Sequence, residues 1–144
     1  MTDIGVKLLH PQAQVPVRKL DGDAGADLTL VTPLVLLPGC RGLACTGIAI
    51  ELPAGSMGLV MPRSGLALSS GVTVLNAPGL IDAGYRGEIK VLLVNLGDET
   101  VELTPGTRVA QLVVSHYLEA DFMVRDELTD TLRGDGGFGH TGQR

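Results

Sequence analysis

The stretch GLIDAGYRGEIKVLLVN, residues 79–95, decides the fold because it joins a polar turn to an apolar run. Gly84 and Gly87 suit a tight turn. The residues that follow the turn, 88–95, alternate as a β-strand does. The alternation puts apolar side chains on both faces, with Ile89, Val91 and Leu93 on one and Leu92 and Val94 on the other. A strand that is apolar on both faces indicates a sandwich interior or a subunit interface.

Glycine and proline divide the rest of the chain into similar short apolar pieces. The 20 Gly and 8 Pro are typical of an all-β sandwich or barrel with few helices. One short helix is predicted in PRSGLALSSG, residues 62–71, with Ser64 as its N-cap and Gly71 at its end. Strands are expected near residues 4–9, 26–30, 41–52, 57–61, 72–75, 88–95, 100–103, 107–118 and 121–125.

Composition and charge limit the classes of function. A chain of 15.0 kDa with 44% hydrophobic residues predicts one packed domain. The net charge of -5 argues against a general nucleic-acid or membrane-surface binder, because both use a basic field. The absence of an apolar leader and of a bilayer-length run predicts a cytoplasmic protein. Cys40 and Cys45 are expected to be reduced rather than to form a disulfide or a metal site.

The composition changes near residue 126, where the chain becomes polar and then rich in glycine. We therefore predict a sandwich domain over residues 1–125 and a flexible arm over residues 126–144. Glycine has the largest backbone entropy to lose on ordering, so the arm has no reason to hold one shape alone. Arg133 and the neighbouring backbone N–H groups could nevertheless wrap around phosphate oxygens.

Several polar residues stand out from this pattern. Tyr85 beside Asp82 could offer a flat face to a ligand while the carboxylate acts as a base. The helix start beside Arg63 could bind an anion, although an ordinary surface helix explains it equally well. Gln111 interrupts a row of valines on a predicted strand, so its amide is either satisfied in the core or holds a water or a phosphoryl oxygen. Asp27 alone would be interpreted as an Asx turn.

Five segments then resemble, in order, the five motifs of the trimeric dUTPase family, the dUTP diphosphatases. They are AGADL, PRSGLA, GLIDAGYRGEIKV, RVAQL and RGDGGFGHTG, and together they extend from about residue 23 to residue 142. Each motif alone is weak, whereas five in order at compatible spacing are highly specific. The chain departs from the family pattern at His140, where the family commonly has serine. A backbone N–H group or the imidazole would then replace the serine hydroxyl.

The resemblance implies a jelly-roll-like β-sandwich that forms a homotrimer with active sites at subunit junctions. It implies hydrolysis of dUTP to dUMP and pyrophosphate by water attack at the α-phosphorus, which limits uracil in DNA and supplies dUMP for dTMP synthesis. Asp82 would be the general base, and Gln111 would contact the α-phosphate and the attacking water. Asp27 would face the cofactor Mg²⁺ through water. The arm would close over the site when substrate binds.

The resemblance also assigns the substrate contacts. Tyr85 would pack under the deoxyribose and leave no room for a 2′-hydroxyl. Residues 74–82 would form a β-hairpin whose backbone copies a pairing partner for uracil, with contributions from Asn76, Leu80, Ile81 and, mainly through its backbone, Lys90. The expected phosphate contacts are Arg63, Ser64, Gly65 and Arg133. In the arm, Phe138 would cover uracil, and His140 and Thr141 would complete the contacts.

Two alternatives stay open on the sequence. A dCTP deaminase shares the fold and the third motif, but it carries a water-activating glutamate where this chain has Leu92. A non-catalytic nucleotide-binding relative would be expected to lose the base, whereas Asp82 and Gln111 are both present. Both alternatives therefore rank below dUTP hydrolysis.

Overall fold

The computed structural model describes residues 2–137. Within that range the chain forms eleven strands and one short helix. The strands are β1 (Gly5–Leu8), β2 (Ala26–Thr29), β3 (Leu34–Leu36), β4 (Arg41–Cys45), β5 (Ile48–Glu51), β6 (Ser56–Met61), β7 (Val72–Val74), β8 (Gly79–Asp82), β9 (Lys90–Asn95), β10 (Val101–Leu103) and β11 (Arg108–His116). Helix α1 (Ser64–Ser70) lies between β6 and β7.

The strands form antiparallel sheets around one hydrophobic core. A four-stranded sheet has the order β2-β11-β6-β8, and a three-stranded sheet has the order β4-β9-β7. The pairs β1-β5 and β3-β10 complete the architecture. Buried side chains from all these sheets pack into a single cluster. The predicted all-β, jelly-roll-like sandwich is confirmed, and the described sheets do not close into a single barrel.

Strand β9 has the two-sided burial that its sequence predicts. It lies between β4 and β7, and Val91 and Leu93 on its inner face are fully buried. On the other face Val94 is also buried and Leu92 is half-buried. Asn95 ends the strand in the core, where its Nδ2 donates to the carbonyls of Leu36 and Glu99 at 3.0 and 2.8 Å. These two hydrogen bonds therefore satisfy the buried amide.

The expected strand over residues 41–52 is two strands, because the chain turns between them. Gly47 has a φ of +66°, which ordinary residues rarely adopt. The turn lets the chain change partners, so that β4 pairs with β9 and β5 pairs with β1.

The expected hairpin over residues 74–82 is wrong, because the two strands of this region do not pair with each other. Strand β7 pairs with β9 in one sheet, whereas β8 pairs with β6 in the other.

Two other features of the chain differ from the prediction. The strand expected at 121–125 is wrong, because residues 117–137 contain no helix or strand, and Phe122 and Val124 are fully exposed. Within the described residues this segment is not part of any sheet. The short strand β3 was not expected, and it forms by pairing with the distant β10.

The helix was predicted correctly except for its first residue. Gly71 ends α1 in the left-handed conformation and donates its N–H to the carbonyl of Ala67 at 2.9 Å. Arg63, not Ser64, occupies the N-cap position, and no side chain caps the helix. The expected capping role of Ser64 is therefore wrong, because Ser64 is already helical.

Cys40 and Cys45 are both free, and Cys40 is exposed. Among residues 2–137 no helix combines the length and apolar character needed to cross a membrane.

We expect Gly47→Ala to destabilise the fold more than Gly55→Ala. Both glycines have positive φ, so each alanine should cost about 1–2 kcal/mol from backbone conformation alone. At Gly47 a Cβ atom would also lie 2.8 Å from the Cβ of His10 and 3.1 Å from that of Ala13, whereas at Gly55 nothing lies within 4 Å. Urea unfolding of both variants at the same chain concentration measures the difference. Equal losses would show that the residues around Gly47 move aside freely.

Candidate active site

A cleft of about 370 Å³ lies beside β8 and the turn that follows it, and we call it the turn cleft. The turn begins after Asp82, at the end of β8, and leads through Tyr85 into β9. The predicted site residues that line the cleft are Asn76, Leu80, Ile81, Asp82, Tyr85 and Lys90. The turn cleft therefore brings together the predicted general base and all the predicted sugar and uracil contacts of the sandwich domain.

Tyr85 is fixed to the turn by its backbone and its hydroxyl. Its N–H donates to the carbonyl of Asp82 at 3.0 Å, and its hydroxyl donates to the carbonyl of Glu88 at 3.0 Å. The ring lies so close to Gly87 that a Cβ there would approach Tyr85 Cε2 to 3.0 Å. Tyr85 is nevertheless 45% exposed. Glycine at position 87 therefore makes room for an aromatic ring that remains open to a ligand.

Two charged residues that the sequence analysis did not select brace the same turn. Arg86 donates from Nη1 to the carbonyls of Ala83 and Tyr85 at 2.6 and 3.0 Å. Its Nη2 donates to Oε1 of Glu51 at 3.1 Å. Glu88 lines the cleft and accepts a hydrogen bond from the Gly47 N–H at 2.9 Å. The contacts of Arg86 with Glu51 and of Glu88 with Gly47 join segments distant in sequence, so the motif alone gave no signal for them.

A second cleft of about 430 Å³ lies beside β2, the start of α1 and β11, and we call it the arginine cleft. Its lining contains residues from the first, second and fourth motifs. The predicted site residues among them are Asp27, Arg63, Ser64, Gly65 and Gln111. Lys19 and Arg108 also line it. Its cationic side chains favour an anionic ligand.

Asp27 connects two arginines in this cleft. Its Oδ1 lies 2.9 Å from Nε of Arg63, and its Oδ2 lies 2.9 Å from Nη1 of Arg108. Arg63 also donates from Nη1 to the carbonyl of Arg108 at 3.2 Å. The Asp27 side chain is only 15% exposed, so solvent weakens these ion pairs less than it would on an open surface. The carboxylate thus holds both guanidinium groups at the cleft.

Gln111 reaches the cleft because of an irregularity in β11. The register with β2 shifts between Arg108 and Ala110, as in a β-bulge. Val109 is consequently buried in the core together with Ala110, and it does not share a face with Gln111 as simple alternation predicts. The half-buried Gln111 donates from Nε2 to the carbonyl of Pro62 at 2.9 Å. The amide is satisfied by this contact and still lines the cleft.

The two clefts are separate within one chain. Asp82 is opposite Met57 on β6, and Gln111 is opposite Met61 on the other side of the same strand. The two positions are separated by four residues along β6 and by two interstrand spacings, so their Cα atoms lie about 16 Å apart. The structure therefore does not bring Asp82 and Gln111 of one chain to a single phosphorus atom.

The arm is described only in part. Arg133 is exposed, and it donates from Nε to the carbonyl of Gly136 at 3.0 Å. It is not among the residues that line either cleft. The predicted contacts Phe138, His140 and Thr141 lie outside the described residues.

Comparison with known proteins gives one consistent family. A model of the dUTPase family matches residues 11–142. The chain is 50% identical to a deoxyuridine 5′-triphosphate nucleotidohydrolase of Corynebacterium glutamicum over 99% of both chains. It is 52% identical to the Chlamydia pneumoniae protein of the same name, over 93% of this chain and 94% of that one. The chain belongs to the dUTPase family.

Solved dUTPase structures share the fold. A mutant dUTPase of Staphylococcus bacteriophage 80alpha with dUpNHpp superposes with a TM-score of 0.92 at 26% identity, and the match covers 99% of each chain. A mutant dUTPase of the S. aureus phage phi11, described with a structural Mg(II) ion, has a TM-score of 0.81 at 25% identity. That match covers 88% of this chain and 98% of the phage chain.

The activity of this dUTPase is that of a dUTP diphosphatase, which hydrolyses dUTP to dUMP and pyrophosphate. The deaminase alternative is not favoured. Leu92, at the position expected for a water-activating glutamate, lines the turn cleft, and its aliphatic side chain cannot transfer a proton.

Gly25→Ala should reduce turnover while the dUTPase stays folded. A Cβ at this position would overlap the amide end of Gln111 and lie 3.0 Å from its Cδ. A flexible side chain can move away from such a contact, so the main result should be a displaced Gln111 amide. Steady-state kinetics and urea unfolding test this expectation.

The matched comparison is the double variant with Gln111→Ala. If Gly25→Ala acts through the Gln111 amide, the double variant should be no slower than Gln111→Ala alone, because coupled sites are not additive. Additive losses would contradict this explanation.

Proposed function

We propose that this dUTPase hydrolyses dUTP by water attack at the α-phosphorus, at sites that are each shared between subunits of a homotrimer. The observation that carries the proposal is the separation of the turn cleft from the arginine cleft. One cleft holds the proposed base, and the other holds the proposed phosphate contacts. A second subunit would place the arginine cleft of one chain against the turn cleft of its neighbour.

Asp82 acts as the general base. It is exposed at the end of β8, and within residues 2–137 its carboxylate makes no hydrogen bond or ion pair. It is therefore free to accept a proton from the attacking water. General-base assistance of this kind typically contributes about 10²–10⁴-fold to the rate.

The turn cleft selects the nucleoside. Strand β8 lies at the edge of the four-stranded sheet, so the backbone groups on its outer side are not used by a neighbouring strand of the described chain. These groups, with Asn76, Leu80, Ile81 and the backbone of Lys90, can pair with the edge of uracil. A base with reversed donors and acceptors would leave buried groups unpaired, which is the stronger form of discrimination. Tyr85 packs under the sugar and excludes a 2′-hydroxyl.

The arginine cleft binds the triphosphate. Arg63 has five N–H donors, and the Asp27 and Arg108 contacts use two of its nitrogens, so donors remain for phosphate oxygens. Ser64 and Gly65 add backbone N–H groups at the start of α1, where no side chain competes for them. Gln111 is anchored to Pro62 and contacts the α-phosphate and the attacking water.

Magnesium fits this cleft only as a hydrated ion carried by the triphosphate. No three His, Cys, Asp or Glu side chains of residues 2–137 form a metal-binding group. Both Asp27 oxygens already accept a guanidinium N–H, but each keeps a lone pair for a water. Asp27 would therefore hold Mg²⁺ through water, and when bound the ion would neutralise phosphate charge. The phage phi11 dUTPase is likewise described with a Mg(II) ion, which is named there as structural.

Exposed apolar residues support the proposed trimer. Leu118, Phe122, Val124 and Leu128, in the segment that follows β11, are almost fully exposed in the single chain. Apolar exposure on this scale indicates a surface that another chain covers.

We place the boundary of the flexible arm at residue 126, with Arg133 contacting the γ-phosphate and Phe138, His140 and Thr141 closing over the nucleotide.

A cytoplasmic location completes the proposal. The free thiols of Cys40 and Cys45 fit a reducing compartment. Hydrolysis there would limit uracil in DNA and supply dUMP for dTMP synthesis.

Asp82→Asn should lower kcat for dUTP by at least about 10²-fold, because an amide cannot accept the proton of the attacking water. Binding of a non-hydrolysable dUTP analogue should persist, since the amide keeps the shape of the carboxylate. Pyrophosphate release and calorimetric binding measure the two effects.

The control is Asp98→Asn, which changes an exposed carboxylate outside both clefts and should leave kcat unchanged. Near wild-type turnover of purified Asp82→Asn would remove this residue from the role of base.

A further inference from the structure

Glu88 lines the turn cleft without an assigned role in binding or catalysis. Its Oε1 accepts the hydrogen bond from the Gly47 N–H at 2.9 Å, and its Oε2 lies 3.6 Å from Nζ of Lys90. The Glu88 side chain is 23% exposed, compared with 42% for that of Lys90. The carboxylate therefore lies between Gly47, at the turn from β4 to β5, and the ammonium group of Lys90.

The backbone next to Glu88 is hydrogen-bonded to the same turn between β4 and β5. The Ile89 N–H donates to the carbonyl of Ile48 at 2.8 Å, and the hydroxyl of Thr46 donates to the carbonyl of Ile89. Together with the Glu88 carboxylate, these bonds attach residues 88–89 to residues 46–48 at three points. Thr46 and Ile89 are fully buried, so the attachment reaches into the core.

The attachment continues to the aromatic ring of the cleft. The carbonyl of Glu88 accepts the hydrogen bond from the Tyr85 hydroxyl. The ring is thus held through a residue whose side chain is itself held by the Gly47 N–H. A shift of the Glu88 backbone would move the acceptor of the Tyr85 hydroxyl, and with it the surface on which the sugar lies.

We propose that Glu88 is a positioning residue that sets the sugar selectivity of this dUTPase by fixing Tyr85 through the Gly47 hydrogen bond. The inference rests on the proposed role of Tyr85 in excluding a 2′-hydroxyl. The ion pair with Lys90 is the weaker contact, because it is long and partly exposed to solvent. The Gly47 hydrogen bond is shorter, is made to an ionised acceptor and is only partly solvent-accessible, so it should dominate.

The test compares kcat and KM for dUTP and UTP in full-length Glu88→Ala and Glu88→Gln. Alanine removes both contacts, whereas glutamine keeps an oxygen for the Gly47 N–H and loses only the charge facing Lys90. We expect Glu88→Ala to reduce the ratio of kcat/KM for dUTP to that for UTP by about tenfold, the equivalent of one lost hydrogen bond. Glu88→Gln should retain most of the wild-type ratio. Glu102→Ala, an exposed change on β10, is the control for loss of charge.

A second variant covers the case in which Glu88→Ala does not fold. Thr46→Val removes another bond of the same attachment with little change in side-chain volume, and it should shift the selectivity in the same direction. A wild-type ratio in folded Glu88→Ala, or in Thr46→Val if that is the variant that folds, would overturn the proposal. Equal shifts in Glu88→Ala and Glu88→Gln would also overturn it, because they would identify the charge near Lys90 as the cause.

Tyr85→Leu separates this inference from the proposed function. If Tyr85→Leu lowers selectivity and folded Glu88→Ala does not, only the role of Glu88 is contradicted. If Tyr85→Leu keeps the wild-type ratio, the role of Tyr85 in sugar selection fails, and the inference about Glu88 fails with it. Loss of selectivity in Tyr85→Leu, Glu88→Ala and Thr46→Val, with retention in Glu88→Gln, supports both.

Discussion

Strand β6 is the element on which the arrangement of the site depends. It pairs with β8 on one side and with β11 on the other, and this register keeps Asp82 and Gln111 at opposite ends of the strand. Backbone hydrogen bonds set the distance, so movement of side chains cannot remove it. In the proposed mechanism, a single chain consequently presents a nucleoside half and a phosphate half of a site. This constraint supports the proposed sharing of sites between subunits, since a neighbouring chain can supply the missing half.

Each half is held rigid by contacts between segments that are distant in sequence. In the arginine cleft, Asp27 fixes two guanidinium groups that would otherwise repel each other. In the turn cleft, the attachment of residues 88–89 to residues 46–48 supports Tyr85. Preorganised donors and aromatic surfaces do not have to be ordered when the substrate binds. Under the proposed mechanism, the half-sites therefore need only to be brought together and covered by the arm.

The sequence predicts the parts of the structure that depend on local pattern. Alternation identified β9, and Gly71 marked the end of α1. Prediction failed where a tertiary contact decides the outcome, as at Gly47, where the strand changes partners, and at Val109, where a bulge reverses the alternation. The apolar segment around Phe122 resembles a strand but has no partner within the described chain. The motifs located the candidate site. The bracing contacts of Glu88 and Arg108, which lie within the third and fourth motifs, became evident only in the structure.

The most direct test of the shared site is complementation between two inactive variants. Asp82→Asn and Gln111→Ala chains are unfolded, mixed in equal amounts and refolded together, and each is also refolded alone. If each site takes Asp82 from one subunit and Gln111 from another, random mixing should leave about one quarter of the sites with both native residues. Turnover of dUTP near one quarter of that of refolded wild type is expected. Turnover no higher than the average of the two variants refolded alone would contradict a site shared between subunits.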